Sequence, residues 1–187
     1  MTSFLYIITG ILIAVFCFLA RRYFTAFYGQ RSENYEDSFP VFDIKQHLTG
    51  EMICEGVIFG PLGRVTSSFF AEFNIVWDGD RGLMSERFHY NDGTTQDREW
   101  RINVDDMGNF TADADDVLGS GLGVVSGSTM HMRYRIRMPE SAGCHVLDTI
   151  DWMYLTPDGS IINRSQFRKF GFKVAELVAT IRRKDMT

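Results

Sequence analysis

LMSERFHYNDGTTQDREWRINV, which runs from Leu83 to Val104, predicts two β-strands joined by a tight turn. Apolar and polar residues alternate on both sides of Asn91-Asp92-Gly93, a combination typical of hairpin loops. With these three residues as the loop, Glu86 lies directly opposite Arg98 on the partner strand. Both side chains then share the apolar face of the hairpin, because residues two apart on a strand point the same way.

A buried pair of opposite charges is the sharpest functional signal in the sequence. Glu86 and Arg98 share their face with Tyr90 and Trp100, and all four are candidate ligand-binding residues. We expect the pair to meet the headgroup or carboxylate of a ligand inside the protein. The alternative interpretation is a structural ion pair that fixes the strand register.

Alternation of the same kind continues along the chain and predicts an all-β domain. The other predicted strands are Met52–Phe59, Val65–Trp77, Phe110–Ala114, Met130–Met138, Val146–Leu155 and Ser160–Phe170, while Phe172–Ile181 is either a closing strand or a short helix. Gly119–Gly123 is interpreted as a β-bulge or a tight connection. Consecutive hairpins favour an antiparallel barrel of about nine to ten strands, since closure removes the exposed edges.

A second polar region lies in DTIDWMYLTPDGSIINRSQFRKFG, residues 148–171, where two strands flank a Pro157-Asp158-Gly159 turn. Its polar side chains are candidates for a ligand-binding network inside the barrel: Asp148, Asp151, Trp152, Asn163, Arg164 and Lys169. The alternative is that these residues only serve the hairpin and the closure of the barrel.

The strand Met130–Met138 has two contrasting faces. One face carries His131, Arg133, Arg135 and Arg137, and its three arginines are candidates for contact with anionic lipid headgroups. An ordinary solvated strand face is the alternative. The other face includes Met132 and Tyr134, which suit an apolar ligand of variable shape and equally suit a packed core.

The N-terminal segment FLYIITGILIAVFCFLA, Phe4–Ala20, contains no charged residue. A helix rises about 1.5 Å per residue, so this segment matches the roughly 30 Å hydrocarbon core of a bilayer. It lacks the basic start and the small cleavage residues of a signal peptide, which predicts an uncleaved, single-pass transmembrane helix. The predicted organisation is an anchor over residues 1–22, a juxtamembrane linker over 23–40 and a barrel domain over 41–187.

Arg21 and Arg22 follow the apolar segment directly and are candidates for the membrane surface. No basic side chain precedes the segment, so the positive-inside rule places the barrel on the cytoplasmic side of a bacterial inner membrane. A folded, exported domain overrides such a bias in some proteins, and a periplasmic barrel is the alternative.

Composition and motifs argue against several classes of function. The net charge of −5 argues against a nucleic-acid partner. The four histidines are scattered without the spacing of a zinc site, and no Walker loop or Gly-x-Ser-x-Gly elbow occurs. We therefore expect no metal, no cofactor and no recognisable catalytic residue. Cys54 and Cys144 form a disulfide or are two reduced thiols.

Seven motifs occur in a characteristic order: Cys54-Glu55-Gly56, Gly60-Pro61-Leu62-Gly63-Arg64, Glu86 with Tyr90-Asn91-Asp92-Gly93, Arg98-Glu99-Trp100, Asp151-Trp152-Met153-Tyr154-Leu155, Asn163-Arg164 and Lys169-Phe170-Gly171. This order resembles the proteobacterial domain-of-unknown-function family 3833. The resemblance implies a lipocalin-like β-barrel in the cell envelope, and it carries over no catalytic residue. Many members look like exported lipoproteins, whereas this chain has Phe16 before Cys17 and arginines after its apolar segment.

Three functional hypotheses follow. The first is a membrane-anchored, lipocalin-like protein that binds an apolar or amphipathic molecule, such as a fatty acid, lipid or lipophilic pigment, in envelope lipid metabolism or stress. The second is a lipid-modifying enzyme with Glu86, Asp148 or Asp151 as acid or base. The third is a protein-interaction module with a filled barrel. The expected partners are the lipid bilayer and a hydrophobic small molecule.

Overall fold

The computed structural model describes residues 2–24 and 27–184. Helix α1 (Thr2–Phe24) precedes two short 3-10 helices, Phe27–Gly29 and Ser32–Tyr35, and the four-residue helix α2 (Ile44–His47). Ten strands follow: β1 (Gly50–Phe59), β2 (Val65–Asp78), β3 (Arg81–Tyr90), β4 (Thr95–Val104), β5 (Asn109–Asp113), β6 (Gly121–Ser126), β7 (Thr129–Arg137), β8 (Val146–Leu155), β9 (Ile161–Lys169) and β10 (Phe172–Arg183).

Each strand pairs antiparallel with its neighbour in sequence, and β10 pairs with β1 to close a barrel. The predicted all-β barrel is therefore confirmed, and the ambiguous C-terminal segment is strand β10. The predicted register of the central hairpin is also confirmed, since Glu86 pairs with Arg98 and Met84 with Trp100. A closed ladder leaves no long unpaired edge for another chain to join.

The sequence does not predict strand β6, because its glycine-rich stretch is typical of a bulge or a connection. Two of its inward positions are Gly121 and Gly123, which carry no side chain to produce an alternating pattern. A Cβ on Gly123 would lie 2.1 Å from the ring of Phe110 on β5. Glycine is required at this position because the neighbouring strand's aromatic ring occupies the side-chain space.

Helix α2 closes one end of the barrel, which we call the closed end. Phe42, Ile44 and Leu48 around this helix are at most 4% exposed and join the main core. The indole N–H of Trp77 donates to the carbonyl of Leu48 at 2.7 Å. The opposite end carries the turns that follow β1, β3 and β9, and we call it the open end.

Packing inside the barrel loosens from the closed end to the open end. Several inward side chains at the closed end are at most 2% exposed, namely Met52, Ile75, Ile161 and Ile181. At the open end several inward side chains are only partly buried, namely Ile58, Phe88, Tyr90, Phe167 and Leu177, although Phe69 beside them is 7% exposed. The interior is therefore a packed core at one end and an apolar mouth at the other.

The segment between α1 and α2 packs on the outside of the barrel. Phe27 is 3% exposed and contacts Ile150 and Trp152 on the outer face of β8. Farther along, the ring of Tyr35 lies 5.4 Å from that of Trp152. The Ser38 hydroxyl accepts a hydrogen bond from the Ser128 amide near the closed end. Residues predicted as a linker thus cover one wall of the barrel.

Helix α1 stands apart from the barrel core. Its segment Ser3–Arg21 has a mean hydropathy of 2.5 and is not buried against the rest of the protein. Among the described residues this is the one helix with the length and composition to cross a membrane, and a signal sequence has the same properties.

Candidate functional site

Charged and hydroxyl side chains from five strands meet inside the barrel, above the packed closed end. We call this group the polar cluster: Glu86 of β3, Arg98 and Trp100 of β4, Tyr134 of β7, Asp151 of β8 and Ser165 of β9, with Asp116 from the loop between β5 and β6. Each strand residue points inward by the alternation of its strand. Five of the ligand-binding candidates from the sequence analysis thereby come together or border the group.

Arg98 is the cation of the polar cluster, and its side chain is 14% exposed. Its Nε donates to Asp116 Oδ1 at 3.1 Å. Its Nη2 lies 3.0 Å from the same oxygen but lacks the alignment that a hydrogen bond requires. The guanidinium carbon lies 4.1 Å from the centre of the Trp100 ring, so a cation–π contact holds the group in place.

Glu86 does not form the expected ion pair with Arg98, although the two residues are cross-strand partners. Among the described residues, the ion pair of Arg98 is the one with Asp116. Glu86 is 7% exposed, and burial raises the pKa of its carboxyl to about 7 despite the nearby guanidinium. Glu86 therefore gains and loses a proton near neutral pH.

Asp151 is the second buried carboxyl of the polar cluster, and its register partner on β9 is Ser165. Its Oδ1 has no hydrogen-bond partner within the described residues. Burial raises the pKa of Asp151, while the hydroxyls of Ser165 and Tyr134 act in the opposite direction. Burial and the charge of Asp151 in turn raise the pKa of Tyr134 well above its usual value. In both groups burial acts against the charged form.

The structure divides the second polar region between the two faces of the barrel wall. Asp151 and Asn163 point inward, and Asn163 Nδ2 donates to the carbonyl of Trp152 at 3.2 Å. Lys169 lies at the open end, where its Nζ is 2.8 Å from His145 Nδ1. Asp151 and Asn163 therefore have the expected interior placement, whereas Lys169 lies at the rim of the open end.

The expectation that Asp148, Trp152 and Arg164 join a network inside the barrel is wrong. Trp152 pairs with Arg164 across β8 and β9, and both point outward because their neighbours Asp151 and Ser165 point inward. Asp148 has a 66% exposed side chain and lies 3.8 Å from Arg135.

Trp152 is 1% exposed only because other groups cover it from outside. The ring of His131 stacks at 4.4 Å on its indole, and the chain around Phe27 and Tyr35 completes the cover. Burial and the nearby Arg133 lower the pKa of His131 to about 4. Arg164 lies 2.6 Å from Glu176, also on the outer face.

Strand β7 has the two faces that the sequence predicts. Arg133, Arg135 and Arg137 are exposed on the outside, whereas Met132 and Tyr134 are buried inside. Arg21 lies near the end of α1, and the side chain of Arg22 lies outside the described part of the structure. Contact of these arginines with lipid stays a prediction.

Asp116 and Ser165 are the members of the polar cluster that the sequence does not predict, and Asp116 is the charged one. It lies in a loop, where no periodicity shows which way a side chain points. The pairing of Asp113 with Arg101 ends the contact between β5 and β4, so the loop runs beside the uncovered half of β4. A cavity of about 670 Å³ includes Glu86, Arg98 and Asp116 in its lining, together with exposed residues such as Asp97.

Within the described residues, the cysteines of the barrel form no disulfide. Cys54 is a free thiol buried in the barrel, and Cys144 is a free, exposed thiol. Within residues 2–24 and 27–184, no group of three His, Cys, Asp or Glu side chains is placed to hold a metal ion.

The fold and the polar cluster define a closed, ten-stranded antiparallel barrel with a buried cation and titratable carboxyls in its interior. The chain belongs to the family of proteins of unknown function DUF3833, whose sequence profile matches residues 22–183. No curated protein matches the chain. It is similar to a solved structure from Bacteroides fragilis, described as an exported protein with a YmcC-like fold, at 10% identity and a TM-score of 0.37 over 72% of this chain and 96% of that one.

Proposed function

We propose that this protein is a membrane-anchored, lipocalin-like binding protein for an amphipathic small molecule with an acidic headgroup, such as a fatty acid. The observation that carries the proposal is the graded interior. Half-buried apolar side chains line the open end and lead to Arg98, a buried cation with one guanidinium nitrogen that lacks an aligned partner. An amphipathic molecule matches both parts of this interior.

The polar end of the ligand binds at the polar cluster. A carboxylate or phosphate oxygen accepts from Arg98 Nη2 in a charge-assisted hydrogen bond. Glu86 does not repel this anion when it is protonated, and burial holds its pKa at about 7. Tyr134 keeps its proton because burial raises its pKa, so its hydroxyl is a further donor near Arg98.

The apolar end of the ligand occupies the open end of the barrel. The rings of Phe69 and Phe88 lie 5.4 Å apart, and Phe88 stacks on Tyr90 at 6.1 Å. Burial of each methylene contributes about 0.8 kcal/mol, so roughly eight methylenes contribute about 6 kcal/mol before the entropic cost of binding. This energy is enough for a carrier that releases its ligand.

Photocrosslinking tests both halves of the proposal. A long-chain fatty acid with a diazirine at its far end is added to the full chain in nanodiscs, and labelled peptides are identified by mass spectrometry. We expect labels on inward residues of the open end, such as Phe88 and Phe167, and at least tenfold less labelling in Arg98→Ala. Arg87→Ala is the matched control, since Arg87 lies outside and is 62% exposed. Labelling confined to α1 or the outer wall contradicts the proposal.

An enzyme that acts on a lipid is the second candidate, and the titration of Glu86 favours it. A carboxyl with a pKa of about 7 is suited to general acid–base catalysis at neutral pH. The distinguishing measurement is the mass of the bound molecule after incubation with wild-type protein and with Glu86→Gln. A mass change that only the wild type produces establishes the enzyme, whereas unchanged mass with both supports the carrier.

A further inference from the structure

The open end of the barrel has an exposed apolar rim on one side. Phe170 and Phe172 in the β9–β10 turn are 88% and 70% exposed. Leu62 and Val65 in the β1–β2 turn are 84% and 55% exposed. The two turns are neighbours because β10 pairs with β1. We call these four side chains the rim patch.

The backbone at Phe170 is unfavourable for an aromatic residue. Its φ of 51° lies in the left-handed region, which glycine and asparagine adopt more readily. Gly171 follows with a φ of 79°, so the pair occupies a tight hairpin turn where Asn-Gly is preferred. Neither the turn nor the core needs a phenylalanine at this position. An exposed aromatic residue that neither of them needs is typical of a binding surface.

Two cations neighbour the rim patch along the chain. Arg64 lies between Leu62 and Val65, and Lys169 Nζ is 5.7 Å from the centre of the Phe170 ring. Exposed aromatic rings beside lysine and arginine are typical of protein surfaces that enter the headgroup layer of a bilayer. Each such cation gains about 1 kcal/mol beside anionic lipid.

The chain also places this side of the barrel close to the apolar helix. The guanidinium of Arg168 lies 4.7 Å from the ring of Tyr28, and Arg168 is two residues from Phe170. Tyr28 follows the last residue of α1, Phe24, by four positions, which spans at most about 14 Å. A membrane crossed by α1 is therefore within reach of the β9–β10 turn.

We propose that the rim patch inserts into the interfacial layer of the membrane that α1 spans. Docking there places the mouth of the barrel against the lipid, so that an amphipathic ligand enters without crossing water. The inference rests on the membrane anchorage in the proposed function, and it does not depend on which ligand binds.

Tryptophan quenching in the full chain tests the docking. Phe172→Trp and Met107→Trp variants are reconstituted in nanodiscs of anionic phospholipid with bromine near the headgroup. Met107 is the matched control, because it is 81% exposed in the β4–β5 turn at the closed end. The emission of wild-type protein, with its three native tryptophans, is subtracted.

We expect bromine to quench the residue-172 emission at least twofold and to leave the residue-107 emission unchanged. A Leu62→Trp variant provides a second position on the neighbouring turn and is expected to show the same quenching. Equal quenching at the two ends, or none at either, overturns the docking. If the fatty-acid probe still labels the interior in that case, the binding barrel stands and only the docking is lost.

Discussion

Arg98 Nε bonds Asp116 Oδ1 at 3.1 Å across a gap in the strand ladder, although Glu86 is the residue directly opposite Arg98. The gap exists because β5 covers only Arg101–Val104 of β4. The guanidinium lies against Trp100 and bonds the loop that fills the gap. Glu86 is left as a buried carboxyl without an ion pair among the described residues. The contact between Arg98 and Asp116 therefore joins the loop to β4 where the ladder is open. It also leaves Glu86 as a buried carboxyl that can be protonated.

Loss of the Arg98 side chain is expected to destabilise the barrel. Arg98→Ala removes the cation next to Glu86 and Asp116 and the contact with Trp100, at a cost of about 2–4 kcal/mol at pH 8. The cost is smaller near pH 5.5, since Glu86 is then protonated. Urea unfolding of the full chain in detergent at both pH values measures the difference. Arg87→Ala, on the exposed face of β3, is the control and should leave stability unchanged. An equally large loss of unfolding free energy in Arg87→Ala would show that the effect is not specific to Arg98.

The raised pKa of Glu86 predicts a stability that falls with rising pH. The folded state holds this proton up to a pKa of about 7, and the unfolded state loses it near 4.5. The contribution is therefore present at low pH and is lost as pH rises through this window, by about 3 kcal/mol in total.

Other groups also contribute to the pH dependence of stability, so the wild-type profile alone does not isolate Glu86. The lowered pKa of His131 destabilises the folded state as pH falls, and the raised pKa of Asp151 acts in the same direction as that of Glu86. The difference between wild type and Glu86→Gln removes the part of both contributions that does not depend on the charge of Glu86. We expect this difference, in unfolding free energy, to move against the wild type from pH 4.5 to 7.5. A constant difference would show that Glu86 titrates normally.

The segment that precedes α2 is expected to contribute to the stability of the barrel. Phe27 is 3% exposed on the outer wall beside Trp152, so Phe27→Ala should cost about 3 kcal/mol. Tyr28→Ala is the matched control, because Tyr28 is 44% exposed, and its cost should be clearly smaller. Thermal unfolding, followed by near-UV circular dichroism, distinguishes them. Equal melting temperatures for Phe27→Ala and wild type would mean that the segment does not stay on the wall.

Cys144 reports the side of the membrane on which the barrel lies. It is exposed, whereas Cys54 is buried with its thiol pKa raised by burial, and Cys17 lies in α1. The arginines after α1 predict a cytoplasmic barrel. A membrane-impermeant maleimide should therefore label the chain in lysed spheroplasts and not in intact ones. Cys144→Ser is the control for the labelled residue. Labelling of intact spheroplasts would place the barrel outside.

Alternation made most of the barrel predictable. Nine of the strands carry apolar side chains on the inward face, and the three-residue loop Asn91–Gly93 fixed the pairing of Glu86 with Arg98. Strand β6 was not predictable from alternation, because Gly121 and Gly123 have no side chains to form an alternating pattern. The position of β6 depends on the packing of Gly123 against the ring of Phe110 on the neighbouring strand β5. Alternation within one segment does not reveal a contact of this kind.

The candidate site was predictable in part for the same reason. Residues on strands of known register, such as Glu86 and Trp100, lie where expected. The sequence suggests the barrel interior for Trp152, because large aromatic residues are usually buried. In the structure Trp152 is buried on the outer face instead, where the N-terminal segment covers it. Asp116 lies in a loop, and its contact with Arg98 depends on the short span of β5.

Native mass spectrometry of the full chain, released from detergent in the gas phase, tests the central claim most directly. We expect one amphipathic acid bound per chain in wild type and in Arg87→Ala, and at least tenfold lower occupancy in a folded Arg98 variant, with Arg98→Lys as the milder substitution. Bare protein in every sample, after incubation with membrane lipid extract, contradicts the account. Equal occupancy with and without the Arg98 guanidinium contradicts it as well, because the polar cluster would then not hold the ligand.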